Sequence, residues 1–117
     1  MTPGRFRKLV LALEGVEECP HMSRVAFRTR RKIFATLGGD ALVNLIVQPA
    51  EKREALLESF PDAVHSLGGW TRLGYVAVDL EAMDDGLVRE LVTDAWREAQ
   101  PRKKVRAPPR TKDRRRG

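Results

Sequence analysis

Soft metal ligands, aromatic side chains and long apolar runs are all scarce in this chain of 117 residues. Its one cysteine, Cys19, rules out a disulfide within the chain. Cys19-Pro20-His21 has the form of a metal corner. One Cys and two His (His21, His65) are too few for a closed zinc site without carboxylates or a second chain, so Cys19 reads as a loop thiol. The longest apolar runs, residues 9–13 and 41–47, fall far short of the ~20 residues that a membrane-spanning helix needs. Residues 1–13 have a basic start and an apolar stretch, yet Glu14, Glu17 and Glu18 follow at once with no small-x-small cleavage site. A cytoplasmic protein with no membrane contact is expected.

Enzyme signatures are missing as well. There is no phosphate-binding loop, no Gly-x-Ser-x-Gly and no His-Glu-x-x-His. Asp84-Asp85 reads as a helix cap rather than a carboxylate pair, and nothing in the sequence makes His21 or His65 a base. The expectation is a protein without catalysis, cofactor or metal.

What is present is charge, unevenly placed. The net charge is +6. Residues 101–117 carry nine Lys and Arg against Asp113, which is +8, and residues 1–100 carry 13 basic groups against 15 acidic ones, which is −2. The basicity therefore belongs to the end of the chain. That segment, with three Pro and almost nothing apolar, cannot offset the entropy of folding and is expected to be a disordered tail following one domain over residues 1–100.

Within that domain, residues 26–37 organise the rest. They read as two strands joined by the polar run 29–32. Alternation places Ile33, Ala35 and Leu37 on one face and Lys32, Phe34 and Thr36 on the other. Phe27 and Ile33 are expected under the helices. Thr2-Pro3 opens a first helix over about residues 3–14, with Phe6, Leu9, Val10 and Leu13 in one stripe and Gly15 as its stop. Residues 17–23 form a connector. Strands are expected at about 24–28, 31–37 and 41–48, with Gly38-Gly39-Asp40 turning the second into the third. Pro49 starts a second helix that ends at Phe60-Pro61. Extended pieces at about 62–66 and 73–80 precede a last helix from Asp84-Asp85 to Gln100. The order α-β-β-β-α-β-β-α with short turns predicts a two-layer α+β sandwich, an antiparallel five-stranded sheet with its helices on one face.

Several stretches together resemble the MmcQ/YjbR family. They are residues 13–18 (Leu-Glu-Gly-Val-Glu-Glu), Ala26-Phe27-Arg28 with Lys32-Ile33-Phe34-Ala35, and Gly68-Gly69-Trp70-Thr71-Arg72 before Gly74-Tyr75-Val76. Asp94-Ala95-Trp96-Arg97 with Pro101-Arg102-Lys103 completes the pattern. The resemblance covers roughly residues 5–105. It implies a compact α/β domain likened to frataxin-type and secretion-chaperone-type folds. Members are often labelled DNA-binding from a two-winged shape, and no catalytic motif carries over. The chain departs from the family in Glu14, where Pro is common, in Tyr75, where Trp is usual, and in its basic end.

The residues admit two functional readings. Arg24, Arg28, Arg30, Arg31 and Lys32 are five cations in nine residues, without an acid. They suit a hairpin wing that grips phosphates, and also an exposed edge kept soluble by charge, the routine use of Lys and Arg on exposed strands. Trp70 with Arg72 suits a second wing that stacks on a base, and equally a lid folded onto the core. Asn44 is either an open-face polar group or a hydrogen-bonded core amide. The first reading is a non-catalytic nucleic-acid-binding (DNA-binding) protein aided by a cationic tail. The second is a protein-interaction or small-ligand module using the open sheet face near Trp70.

Overall fold

The computed structural model describes residues 1–101. Beyond Pro101, the stretch expected to be a disordered tail lies outside the described residues. In chain order the elements are α1 (Pro3–Leu11), β1 (Glu17–His21), β2 (Arg24–Arg28), β3 (Ile33–Leu37), β4 (Leu42–Ile46), α2 (Ala50–Ser59), β5 (Val64–Ser66), α3 (Gly69–Arg72), β6 (Tyr75–Asp79) and α4 (Asp85–Glu98). The strands make an open antiparallel sheet in the order β1-β2-β3-β4-β6-β5. This is the expected α+β class, with six strands rather than five.

Pairing register sorts the side chains into two faces. Phe27, Ala35, Leu45 and Val76 form one transverse row, and Val25, Leu37, Val43, Val78 and Val64 the next. Helices cover these rows. Phe6 of α1 meets Phe27 edge to face at 6.0 Å, and α4 contributes Val88, Leu91, Val92 and Ala95 to the same core. On the opposite face Cys19, Ala26, Thr36, Asn44, Ala77 and His65 cross all six strands in one row. Asn44 is therefore an open-face residue, half-buried among small neighbours.

The helix ends follow capping chemistry. The Thr2 hydroxyl accepts from the Arg5 N–H at 3.2 Å, with Pro3 at the first helical position. Asp84 accepts from the Leu87 N–H at 3.0 Å. Gly15 does take the left-handed conformation, at φ 77°, but α1 has already given way to turns after Leu11. Pro49 occupies the N-cap position of α2 without a side-chain capping bond.

Three local features differ from the sequence reading. β1 replaces the expected connector. Its Glu17, Glu18 and Pro20 belong to the outermost strand, where a missing N–H and exposed charge are tolerated and also discourage further pairing. Residues 69–72 make a helical turn. The third difference is a bulge: Phe27 pairs with Ala35 but Arg28 pairs with Ile33, which leaves Phe34 as an extra residue. Strict alternation fails there. Phe34 is fully buried, and Ile33, expected beneath the helices, shares the open face with Arg28 and is half-buried.

The turn beside the bulge is docked onto the last helix. Thr29 is only 3% exposed. Its hydroxyl donates to the carbonyl of Ala99 and accepts from the N–H groups of Arg31 (3.2 Å) and Lys32 (3.4 Å). Arg31 donates from Nη1 to the carbonyl of Glu98 at 2.8 Å. Two carbonyls at the end of α4, which have no partner within the helix, are thus satisfied from the β2–β3 turn.

Two stability outcomes are expected from this packing. Phe27→Ala removes a fully buried aromatic and should cost about 3–5 kcal/mol in chemical denaturation, whereas Ile33→Ala should cost no more than about half of that. Equal costs would contradict the bulge. Thr29→Val keeps the shape but strands buried polar groups and should cost about 1–3 kcal/mol, most of it recovered in Thr29→Ser. A neutral Thr29→Val would mean that the turn is not anchored.

Candidate nucleic-acid interface

Antiparallel order fixes which loops share an end of the sheet. β2 ends at Arg28, β3 begins at Ile33, β4 ends at Ile46, β5 ends at Ser66 and β6 begins at Tyr75. The β2–β3 turn and α3, which lies between β5 and β6, therefore project from the same end. The last residue of α4 and Pro101 reach that end too, because Ala99 meets Thr29. Arg28, Arg30, Arg31, Lys32, Trp70, Arg72 and the root of the basic segment are gathered there.

The cations are held to different degrees. Arg28 donates from Nε to the carbonyl of Thr29 at 3.1 Å and from Nη2 to that of Arg30 at 3.5 Å, which stiffens the turn. Glu17 pairs across from Arg28 on β1 and offsets part of its charge. Arg31 has a structural task at Glu98, and its charge suits the negative end of the helix. Lys32 is half-buried, and Arg30 is exposed at the tip.

Arg24 does not join them. It starts β2, at the opposite end of the sheet, and lies across the open face. Its guanidinium donates to the Thr36 hydroxyl (2.9 Å) and to the carbonyls of Thr36 (3.2 Å) and Leu42 (2.6 Å). Gly38 makes room for it, since a Cβ there would come within 2.5 Å of Arg24 Nη1. Arg24 is a clamp between strands rather than part of a wing.

Trp70 stands out from α3, 63% exposed, and does not fold over the core. Its indole makes a T-shaped contact with Tyr75, with centroids 6.4 Å apart and planes at 82°. Tyr75 follows from the open-face register, since its neighbour Val76 faces the helices. Its hydroxyl reaches past β4 and donates to the Ile33 carbonyl at 2.8 Å, and burial raises its pKa. Tyr75 thus ties the base of Trp70 to the foot of the basic turn. Neither Thr29 nor Tyr75 carries a local sequence signal for partners 70 and 42 positions away.

A cleft between the end of β4 and α4, lined by Gln48, Lys52, Asp94 and Glu98 among others, has about 10 Å³, at most room for a water. Lys52 and Asp94 pair there at 2.6 Å. Among the described residues no group of three or more His, Cys, Asp or Glu is placed to hold a metal ion, and no helix is long and apolar enough to cross a membrane.

Comparison with known proteins supports the fold. A crystal structure of a Deinococcus radiodurans protein carrying the DUF419 domain superposes with a TM-score of 0.72, covering 81% of this chain and 75% of that one. At 19% identity, that likeness speaks for the fold. No curated protein matches the chain. The YjbR family model matches residues 11–98, from the last residue of α1 to the last of α4. The resemblance in sequence and the shared fold thus lead to one conclusion: the chain belongs to the YjbR family.

Proposed function

We propose that this protein is a non-catalytic nucleic-acid-binding protein of the cytoplasm, acting on DNA through phosphate contacts at one end of its sheet. One observation carries the reading. A domain of net charge −2 gathers Arg28, Arg30, Arg31, Lys32 and Arg72 at the end from which a segment of charge +8 departs. Long-range attraction to a polyanion follows from that placement, and guanidinium forks match phosphate oxygens. The setting inside the cell is supported by the lone thiol and by the acidic residues after the first apolar stretch.

Trp70 and Leu73, each 63% exposed, favour a second reading, a module that docks a protein or small ligand beside α3. The two readings separate in a salt titration of DNA binding. The chain should be compared with a version ending at Pro101, because the cationic segment binds any polyanion and masks the domain. In the shortened chain, Arg30→Ala with Lys32→Ala should weaken binding. For duplex DNA, the plot of log affinity against log salt should flatten by about 0.9 for every phosphate no longer neutralised. Arg31 is left in place because its removal would also disturb the end of α4. Binding that disappears with the segment, or that ignores the double substitution, removes the nucleic-acid reading and leaves the docking module.

A further inference from the structure

The nucleic-acid reading leaves open which form of the polymer is bound, and Trp70 bears on that question. We infer that the ligand is single-stranded, with one base stacked on the Trp70 indole while its phosphates run toward Arg30 and Lys32. This inference rests on the reading above and goes beyond it.

The indole is both open and fixed. A T-shaped contact with Tyr75 occupies at most one of its faces, and Trp70 as a residue is 63% exposed. Its support is rigid on both sides. Tyr75 is pinned through its hydroxyl to Ile33. The turn entering α3 is closed by Thr71, whose hydroxyl accepts from the Leu67 N–H at 2.7 Å and lies 3.3 Å from the Ser66 hydroxyl. An aromatic displayed on so firm a base loses little freedom when a flat partner settles on it. Every base offers a π-face, so such a platform is tolerant of sequence.

A duplex has no use for this arrangement. Its bases are stacked on one another and present only their edges and phosphates. A helical turn of four residues is too short to lie along a major groove as a recognition helix does. A single strand offers both parts at once. β6 lies two strand spacings from β3, roughly 10 Å, so a strand stacked at Trp70 reaches the basic turn within a few nucleotides. Arg72 is exposed next to the platform. Between the two sites, Tyr75 and Ile33 face the same open surface, with Arg28 beyond them.

The experiment compares a labelled oligothymidine with a mixed-sequence duplex of equal length, both titrated with the full chain at raised salt, where the contribution of the cationic segment is weakened. Trp70→Ala should weaken oligothymidine binding about tenfold, leave duplex binding unchanged and leave the salt slope unaltered. Trp70→Phe should retain most of the affinity. The single strand should quench tryptophan emission in the wild-type chain but not in Trp70→Phe, where Trp96 is the remaining indole. Arg30→Ala with Lys32→Ala should instead weaken both ligands and flatten both slopes. A Trp70→Ala variant that binds oligothymidine as well as the wild type, or that weakens single strand and duplex equally, overturns the inference while leaving nucleic-acid binding intact. A wild-type chain that binds neither polymer overturns both.

Discussion

The interaction on which the basic end of the sheet depends is the hydrogen bond from the buried Thr29 hydroxyl to the carbonyl of Ala99. A helix end exposes carbonyls that need donors, and a hairpin turn between two basic strand ends is costly to hold in one shape. Here each answers the other. Thr29 and Arg31 supply donors to Ala99 and Glu98, and the helix gives the turn a fixed seat. Thr29 also gathers the N–H groups of Arg31 and Lys32, so a single hydroxyl sets the path of the turn as well as its position. Burial makes this bond hard to exchange for water, which raises the cost of leaving either partner unmatched.

Much of the fold was legible because it is written in local patterns. Phe6 and Val10 on α1, and Val88, Leu91, Val92 and Ala95 on α4, occupy the stripes that helical spacing gives them, and all are buried. Thr2 and Asp84 cap as their side chains dictate. What was not legible depends on partners distant in sequence. β1 reads as a connector because Glu17, Glu18 and Pro20 are poor strand formers, and only its place at the edge makes it a strand. The bulge at Phe34 cannot be read from alternation, because one inserted residue exchanges the roles of Ile33 and Phe34 without changing the composition of the run. The site shows the same division. The cluster of cations is plain in the sequence, but Thr29 and Tyr75, which position it, are ordinary residues with remote partners.

The arginines of residues 24–31 make this division concrete. Arg24 commits its donors to Thr36 and Leu42, Arg28 to the carbonyls of the turn and Arg31 to the end of α4. Arg30 remains outward, exposed at the tip. Five cations in nine residues thus resolve into a strand clamp, a turn brace, a helix cap, an exposed tip at Arg30 and a half-buried Lys32. A count of charge treats them alike, whereas their hydrogen bonds assign them different work. Membership of the YjbR family fixes the scaffold but not this assignment, which is a property of individual side chains.

The clamped residues also govern how the outer ones can act. A lysine or arginine on a loose loop gives up rotamer and backbone freedom on meeting a phosphate, and that ordering reduces affinity. Arg28 and Arg31 have already fixed the backbone on either side of Arg30, and Thr29 holds the turn between them. The cost of ordering this tip is met during folding, so contact with a polyanion has mainly side-chain freedom left to remove. The same reasoning applies to Trp70, whose seat on Tyr75 is secured by a bond to Ile33 at the foot of that turn. Both halves of the surface are therefore organised by the fold itself, through bonds that leave Arg30 and much of the Trp70 side chain facing solvent.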